Sequence, residues 1–154
     1  MQEVSVIIPN FNGMAYLDGV LAGLECQTVN NFEVILVDNG SSDGSCAFVS
    51  ARYPWVHLIE LPENFGFCKA VNEGIKASRA PYVLLLNNDI EVTENFIEEM
   101  ISAIRRHPKA FSCAARMIQF HDRDKLDDAG NYYCALGWAY ARGKGKDIHT
   151  YEKE

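Results

Sequence analysis

Tyr82-Val83-Leu84-Leu85-Leu86-Asn87-Asn88-Asp89 sets five apolar residues in a row and then turns abruptly polar. An unbroken apolar run of this length reads as a strand of a parallel sheet buried on both faces, and a carboxylate at its C-terminal lip sits where open α/β sheets bind ligands. The run predicts a fold class and also the edge of the sheet on which a site should lie.

Outward from this strand the same rhythm repeats. Val4-Ser5-Val6-Ile7-Ile8-Pro9 reads as a first buried strand, with Pro9 at its end, where the missing N–H is tolerated. Met14, Leu17, Val20, Leu21 and Leu24 recur at three- and four-residue spacing and predict a helix that stops near Gln27. Phe32 to Val37 is a second buried strand, and the polar loop Asp38-Asn39-Gly40-Ser41-Ser42-Asp43-Gly44 leads into a helix ending about Arg52. Trp55 to Leu61 reads as a third, shorter strand. Pro62-Glu63-Asn64-Phe65-Gly66 then precedes a helix carrying Phe67, Ala70, Val71, Ile75 and Ala77.

Beyond the Tyr82–Leu86 strand, Thr93 is expected to N-cap a helix that turns Phe96, Ile97, Met100, Ile101 and Ile104 inward and is ended by Pro108. Ala110 to Gln119 reads as a further strand. Strands alternating with helices predict an α/β, Rossmann-like domain, a mainly parallel sheet with helices on both faces and right-handed crossovers. Past about residue 120 the periodicity fades, and the stretch from Arg142-Gly143-Lys144-Gly145-Lys146-Asp147 to Glu154 reads as mobile unless something packs on it.

Composition excludes several functions. The 154 residues make one domain by size and carry a net charge of −7 without a basic stripe, so nucleic acid is not an expected partner. Cys26, Cys46, Cys68, Cys113 and Cys134 are odd in number and lack a C-x-x-C pairing, which argues against a disulfide framework or a zinc knuckle and for a reducing, cytoplasmic setting. No signal peptide is legible, and no apolar stretch approaches the ~20 residues of a membrane span, leaving at most peripheral membrane association. His57, His107, His121 and His149 lack metal-ligand spacing, and Gly143-Lys144-Gly145-Lys146 lacks the spacing of a phosphate loop. Trp55 reads as packing, whereas Trp138 is open to stacking on a sugar or base.

Three loops fall at predicted strand C-termini: Pro9-Asn10-Phe11-Asn12, Asp38 to Asp43, and Asn87-Asn88-Asp89. Asp38 and Asn39 offer acceptors for a base N–H or a ribose hydroxyl, and Asp89 together with phosphate oxygens suits a hard divalent cation. Singly, Asp38 serves equally well as a turn former or helix cap. Their convergence on one sheet edge is what points to a site.

In this order the segments resemble the inverting family 2 glycosyltransferases of GT-A fold. The matching stretches are Val4 to Asn12, Val37-Asp38-Asn39-Gly40-Ser41-Ser42-Asp43-Gly44-Ser45, Glu63-Asn64-Phe65-Gly66-Phe67 with Asn72, and Leu84 to Asp89. Arg142 to Asp147 is similar to the rhamnosyltransferase-type branch. The resemblance implies a nucleotide-sugar-binding domain over residues 1–120, with residues 121–154 opening an acceptor-side region, partly mobile, of a truncated fold.

It further implies that Pro9, Asn10, Asn12, Asp38 and Asn39 hold the base and ribose, that Asp43 supports their loop, and that Asn64, Gly66 and Asn72 border the donor. Asn87 and Asn88 would also contact the donor, just before Asp89, which takes the place of the last carboxylate of the family's D-x-D motif. Mg²⁺ or Mn²⁺ would bridge Asp89 and the diphosphate of a UDP- or dTDP-sugar, and a carbohydrate or lipid-linked acceptor would take the sugar in cell-surface polysaccharide synthesis. Two departures stand out: Asn87 replaces a frequent first Asp, and Asn39 a frequent second one.

A third departure is that no segment looks like the downstream Glu-Asp pair used as general base. Asp122, Asp124, Asp127 and Asp128 read as a solvated acidic loop. No catalytic residue is assigned, and the expectation is a donor-binding part of a longer enzyme. Two rivals remain at this stage, a non-catalytic nucleotide-sugar-binding module and a response-regulator-like Mg²⁺ domain, although the latter needs acidic residues after the first strand, where Pro9-Asn10 stands.

Overall fold

A computed structural model describes residues 2–149 and 151. The chain forms two compact units, Met1–Glu98 and Glu99–Glu154. In the first, β1 (Val4–Asn10), α1 (Met14–Glu25), β2 (Phe32–Asp38), α2 (Ser45–Arg52), β3 (His57–Glu60), α3 (Phe67–Ala77) and β4 (Tyr82–Leu85) follow one another, and α4 (Phe96–Arg106) begins at its end. The sheet runs β3-β2-β1-β4 and every pairing in it is parallel. Strand β1 lies between its neighbours, as the order of a nucleotide-binding half-domain requires, and the 2-1-3 order of the response-regulator sheet is absent from this unit.

Strands β1 and β2 are buried along almost their whole length, so they form the floor of the core. Ile7, Ile35, Val37 and Ala70 make one fully buried cluster, with Ile59, Leu61 and Ala77 packed against it. Each fully buried Ile or Val of this cluster contributes about 1.5–3 kcal/mol by leaving water. Helix α3 approaches so closely that a Cβ on Gly74 would strike Ile7 Cγ2 and come within 3.2 Å of Val37 Cγ2. On α1, Leu17, Val20, Leu21 and Leu24 are buried, one stripe at helical spacing. Ser5, a buried polar residue of β1, accepts from Ser78 Oγ and donates to Glu33, so its hydroxyl is satisfied.

Four expectations need correction. The opening run does form β4, but it is not buried on both faces: it stands at the end of the sheet with Tyr82, Val83 and Leu85 exposed by 37%, 42% and 53%, and only Leu86, just beyond it, is buried. A strand bonded on one side lacks the neighbour that would bury it. Strand β3 is shorter than Trp55 to Leu61, covering only His57–Glu60.

The third correction is at α4, where Thr93 does not cap with its hydroxyl, which donates to Asn95 Oδ1 instead. The cap comes from Gln27, whose Oε1 accepts from Ile97 N at 2.9 Å while its Nε2 donates to Thr93 O and Gly23 O. Ile97 and Ile101 are buried as expected, and Phe96, Met100 and Ile104 half-buried.

The fourth lies in the second unit. Of the strand expected over Ala110 to Gln119, only β5 (Met117–Ile118) pairs, antiparallel to β6 (Leu126–Asp128). Ala110, Ala114 and Ala115 are weak strand formers, and Phe111 is fully exposed. A second ribbon joins β7 (Asn131–Tyr133) to β8 (Ala139–Ala141). The stretch from Arg142 is tied down by its own unit: Leu126 N donates to Lys146 O, Gly145 N to Leu126 O, and Ile148 N to Asp124 O. Thr150 and residues 152–154 lie outside the described residues.

Candidate functional site

The parallel register brings strand ends level, with Asn10 opposite Asp38 and Asp38 opposite Glu60. β4 continues the row, since Leu86 N donates to Ile7 O and Asn88 follows two residues later. Polar side chains thus begin where the apolar strands stop.

Asn10, Asp38 and Asn88 meet there. Asn88 Nδ2 donates to Asn10 Oδ1 at 2.6 Å, and Asn10 Nδ2 donates to Asp38 Oδ2 at 2.8 Å and to Ser41 Oγ at 3.3 Å. The other Asp38 oxygen accepts from Ser41 N at 2.8 Å. Asn10 and Asp38 are 2% and 1% exposed, so the Asp38 carboxylate is turned into the protein and organises its own loop. Asn12 closes the arrangement: its backbone N donates to Ser41 Oγ, and its Oδ1 accepts from Ser42 N. It does so at φ 49°, in the left-handed region that asparagine tolerates better than most residues.

Asn39 is likewise directed to a neighbouring loop. Its Nδ2 donates to Asn64 Oδ1 and its Oδ1 accepts from Phe65 N, while Asn64 Oδ1 also accepts from Gly66 N. Gly40 permits this approach: its φ is +78° and a Cβ there would lie 2.6 Å from Glu63 Cα. Asp43 Oδ2 accepts from Met14 N at 2.9 Å, and its Oδ1 accepts from Ser45 N and Ser45 Oγ. The Ser45 hydroxyl first, and then the Met14 N–H, hold the Asp43 carboxyl below the usual carboxylate range. Burial, aided by the nearby Asp38 carboxylate and by Glu60, pushes the Cys46 thiol up to about 12, so this cysteine stays protonated beside the loop.

The remaining expected residues are placed as follows. Pro9 is the penultimate residue of β1, opposite Val37. Gly66 precedes α3 at φ +86° with open space around it, so the backbone angle rather than crowding calls for glycine. Asn72 is exposed on α3, while Asn87 and Asp89 are exposed at the end of β4. Ser41, Gly13 and Gly40 are the members that reading by residue chemistry passed over. Their contributions are a hydroxyl shared between two loops and the absence of a Cβ.

Residues 10–13, 38–44, 60–66 and 87–89 hold Asp38, Asp43, Glu60, Glu63 and Asp89 but no lysine or arginine. Such loops repel a diphosphate unless a cation accompanies it. Among the described residues no group of three or more His, Cys, Asp or Glu is arranged to hold a metal. Asp43, Glu60, Glu63 and Asp89 are all exposed, and a carboxylate oxygen is the kind of ligand that a hard ion such as Mg²⁺ takes beside phosphate oxygens and water.

In the second unit, Asp122 is bonded to Lys125, which keeps its carboxyl below the ordinary range. Asp127 faces Lys144 at 3.2 Å, and Asp128 accepts from Gly130 N.

The Glycosyl transferase family 2 pattern matches residues 5–152. The chain belongs to this family. It is 30% identical over 133 residues to Glycosyltransferase GlyG of Streptococcus pneumoniae, covering 84% of this chain and 42% of that protein. It is 27% identical over 128 residues to the putative teichuronic acid biosynthesis glycosyltransferase TuaG of Bacillus subtilis, covering 80% of this chain and 50% of the relative. The family 2 chain therefore spans about half the length of such relatives.

Solved structures agree on the fold. S. aureus TarS 1-349 in complex with UDP superposes with a TM-score of 0.64 at 22% identity, over 77% of this chain and 40% of that one. The mannosyltransferase PcManGT from Pyrobaculum calidifontis, in complex with GDP-Man and Mn²⁺, gives 0.63 at 22% identity over 66% and 32%. The family 2 assignment and the parallel sheet agree with the GT-A architecture. Among the described residues no helix is long and apolar enough to cross a membrane.

Proposed function

We propose that this chain is the donor-binding part of an inverting family 2 glycosyltransferase, taking a UDP- or dTDP-sugar with Mg²⁺ or Mn²⁺ and serving transfer to a carbohydrate or lipid-linked acceptor hydroxyl. The observation that carries the reading is the joining of three strand-end loops through Asn88, Asn10 and Asp38. On this reading base and ribose lie at the Pro9–Asn12 and Asp38–Asp43 loops and the diphosphate at Asn87-Asn88-Asp89. Asn64, Gly66 and Asn72 border the donor on the α3 side. Asp38, with both oxygens engaged inside the protein, acts on the nucleoside chiefly by shaping the loop that meets it.

Asp89 is the residue that would hold the ion, together with the side-chain oxygen of Asn87. The ion supplies charge compensation as the glycosidic bond breaks and negative charge gathers on the departing diphosphate. The chain's own part is to fix that place against the nucleoside, since the surrounding carboxylates cannot neutralise phosphate. The similarity of Arg142 to Asp147 favours the rhamnosyltransferase-like branch and, with relatives such as TuaG, a role in cell-surface polysaccharide synthesis on the cytoplasmic side, peripherally attached to the membrane at most.

Calorimetric titration with UDP, dTDP and GDP, each in Mn²⁺ and in chelator, tests the reading. The expected result is tighter binding of UDP or dTDP in Mn²⁺, with the metal dependence lost in Asp89→Ala. Equal affinity in metal and chelator for both proteins would reject Asp89 as the ligand.

A further inference from the structure

Asn10 is buried, and the orientation of its amide is forced. The Asp38 carboxylate only accepts, so Asn10 must turn Nδ2 toward it and is left presenting Oδ1 to residue 88. Only a donor at position 88 completes the chain, and Asn88 Nδ2 is that donor. Charge on Asp38 polarises the Asn10 amide and strengthens the second bond in a region screened from water. The end of β4 is thereby tied through a side chain to the loop after β2, two strands away.

Gly13 independently points to the same contact. Its φ of −103° is open to any residue, so backbone freedom does not explain the glycine. A Cβ at this position would collide with both Asn88 Nδ2 and Asn10 Oδ1. The missing side chain makes room for the one hydrogen bond that joins the two asparagines.

Resting on the donor-site reading above, we infer that Asn10 and Asn88 are positioning residues, whose amide–amide bond holds Asp89 and its turn at a fixed offset from the Asp38 loop. The nucleoside end and the metal–diphosphate end of the donor are then met by one preorganised surface. Neither asparagine has to touch the donor for this effect. Its energetic signature is coupling: metal improves nucleotide binding fully only while the bond is intact.

The test titrates UDP into the wild-type chain and into Asn10→Ala, Asn88→Ala, the double variant, Gly13→Ala and Asn88→Asp, each with Mn²⁺ and with chelator. Circular dichroism and ¹H–¹⁵N spectra identify any variant that fails to fold, and Gly13→Ala leaves both amides in place. The gain in affinity from Mn²⁺ should fall in each single variant by about two- to tenfold, the range for one net hydrogen bond. The double variant should lose no more than the worse single one, because both remove the same link. Asn88→Asp should also lose gain at neutral pH, since it sets an acceptor against Asn10 Oδ1, whereas a residue merely lining the ion site would gain from the added carboxylate.

Losses that multiply in the double variant, or a higher gain in Asn88→Asp, would overturn the positioning role. Wild-type binding with all folded variants unchanged would overturn it alone and leave the donor site standing. Failure of the wild type to bind UDP or dTDP in Mn²⁺ would reject the donor-site reading, and this role with it.

Discussion

Asp43 caps a helix to which it does not belong, its Oδ2 accepting from Met14 N at the start of α1 at 2.9 Å. Gly13, at the N-cap position itself, has no side chain to do so. A carboxylate is the favoured partner for that end of a helix, where N–H groups lack internal acceptors. Asp43→Ala should lower stability by about 1 kcal/mol, a fall in Tm of about 2–4 °C for a chain of this size, and Asp43→Asn by less because an oxygen remains. The pH dependence follows from the lowered carboxyl of Asp43: its contribution is present above the ordinary carboxylate range and is lost as pH falls through the lower, folded-state value. Thermal melts stepped from neutral to acid should converge for wild type and Asp43→Ala only at the acid end.

Gly40→Ala places a Cβ 2.6 Å from the Glu63 backbone and holds an L-residue at φ +78°. The neighbour is main chain and cannot swing away. The cost should exceed the ~1 kcal/mol of an ordinary glycine substitution, and the Asn39–Asn64 bond should open with it. Urea unfolding reads the first effect, and faster exchange of the Phe65 amide, now without its Asn39 acceptor, reads the second.

Asp38→Ala removes the acceptor of one buried Asn10 Nδ2 hydrogen, whose other bond to Ser41 Oγ stays, and that of the part-buried Ser41 N. Each such donor costs about 1–3 kcal/mol when unmet, so the variant should be strongly destabilised, and its loss of nucleotide binding should include loss of the loop. Asp38→Asn keeps one acceptor and should fall between the two in urea midpoint. Equal midpoints for the three proteins would show that the carboxylate is not the organiser of the loop.

Supplied with a UDP- or dTDP-sugar and acceptor, the 154-residue chain should transfer little sugar, and the same chain lengthened to the extent of its relatives should be active. General-base assistance typically contributes ~10²–10⁴-fold, and no residue here is assigned that role. Acceptor-dependent release of nucleoside diphosphate is the measurement. Equal rates would place a base within these residues; of the four candidates, Asp122 and Asp127 already face Lys125 and Lys144, which makes Asp124 and Asp128 the first to substitute.

What the sequence made legible depended on how local the cause was. Strands β1 and β2 declared themselves because each carries a continuous run of apolar, buried residues, Val6-Ile7-Ile8 and Val34-Ile35-Leu36-Val37. The apolarity of β4 could not reveal that the strand stands at the end of the sheet, since position in a sheet is a long-range property. The cap of α4 comes from Gln27, 70 positions before Ile97, beyond any local signal such as Thr93. The polar loops were legible as a group, and their interconnection was not, because Asn10 and Asn88 are 78 residues apart. Asp38 looked like an open acceptor until its two donors came into view.

The apolar middles of β1 and β2, beyond the paired Ser5 and Glu33, carry little information about how far each should slide along the other. Moved by a single step, Val6-Ile7-Ile8 still meets Val34-Ile35-Leu36 with oil against oil, and no alternation of polar and apolar residues objects. The row Asn88, Asn10, Asp38 does object, as the Ser5–Glu33 bond does at the other end of the strands. A one-step slip would turn a member to the wrong face and leave a carboxylate or an amide buried without its partner, at several kcal/mol. The residues gathered at the C-terminal ends of the strands therefore also proofread the alignment of the sheet beneath them.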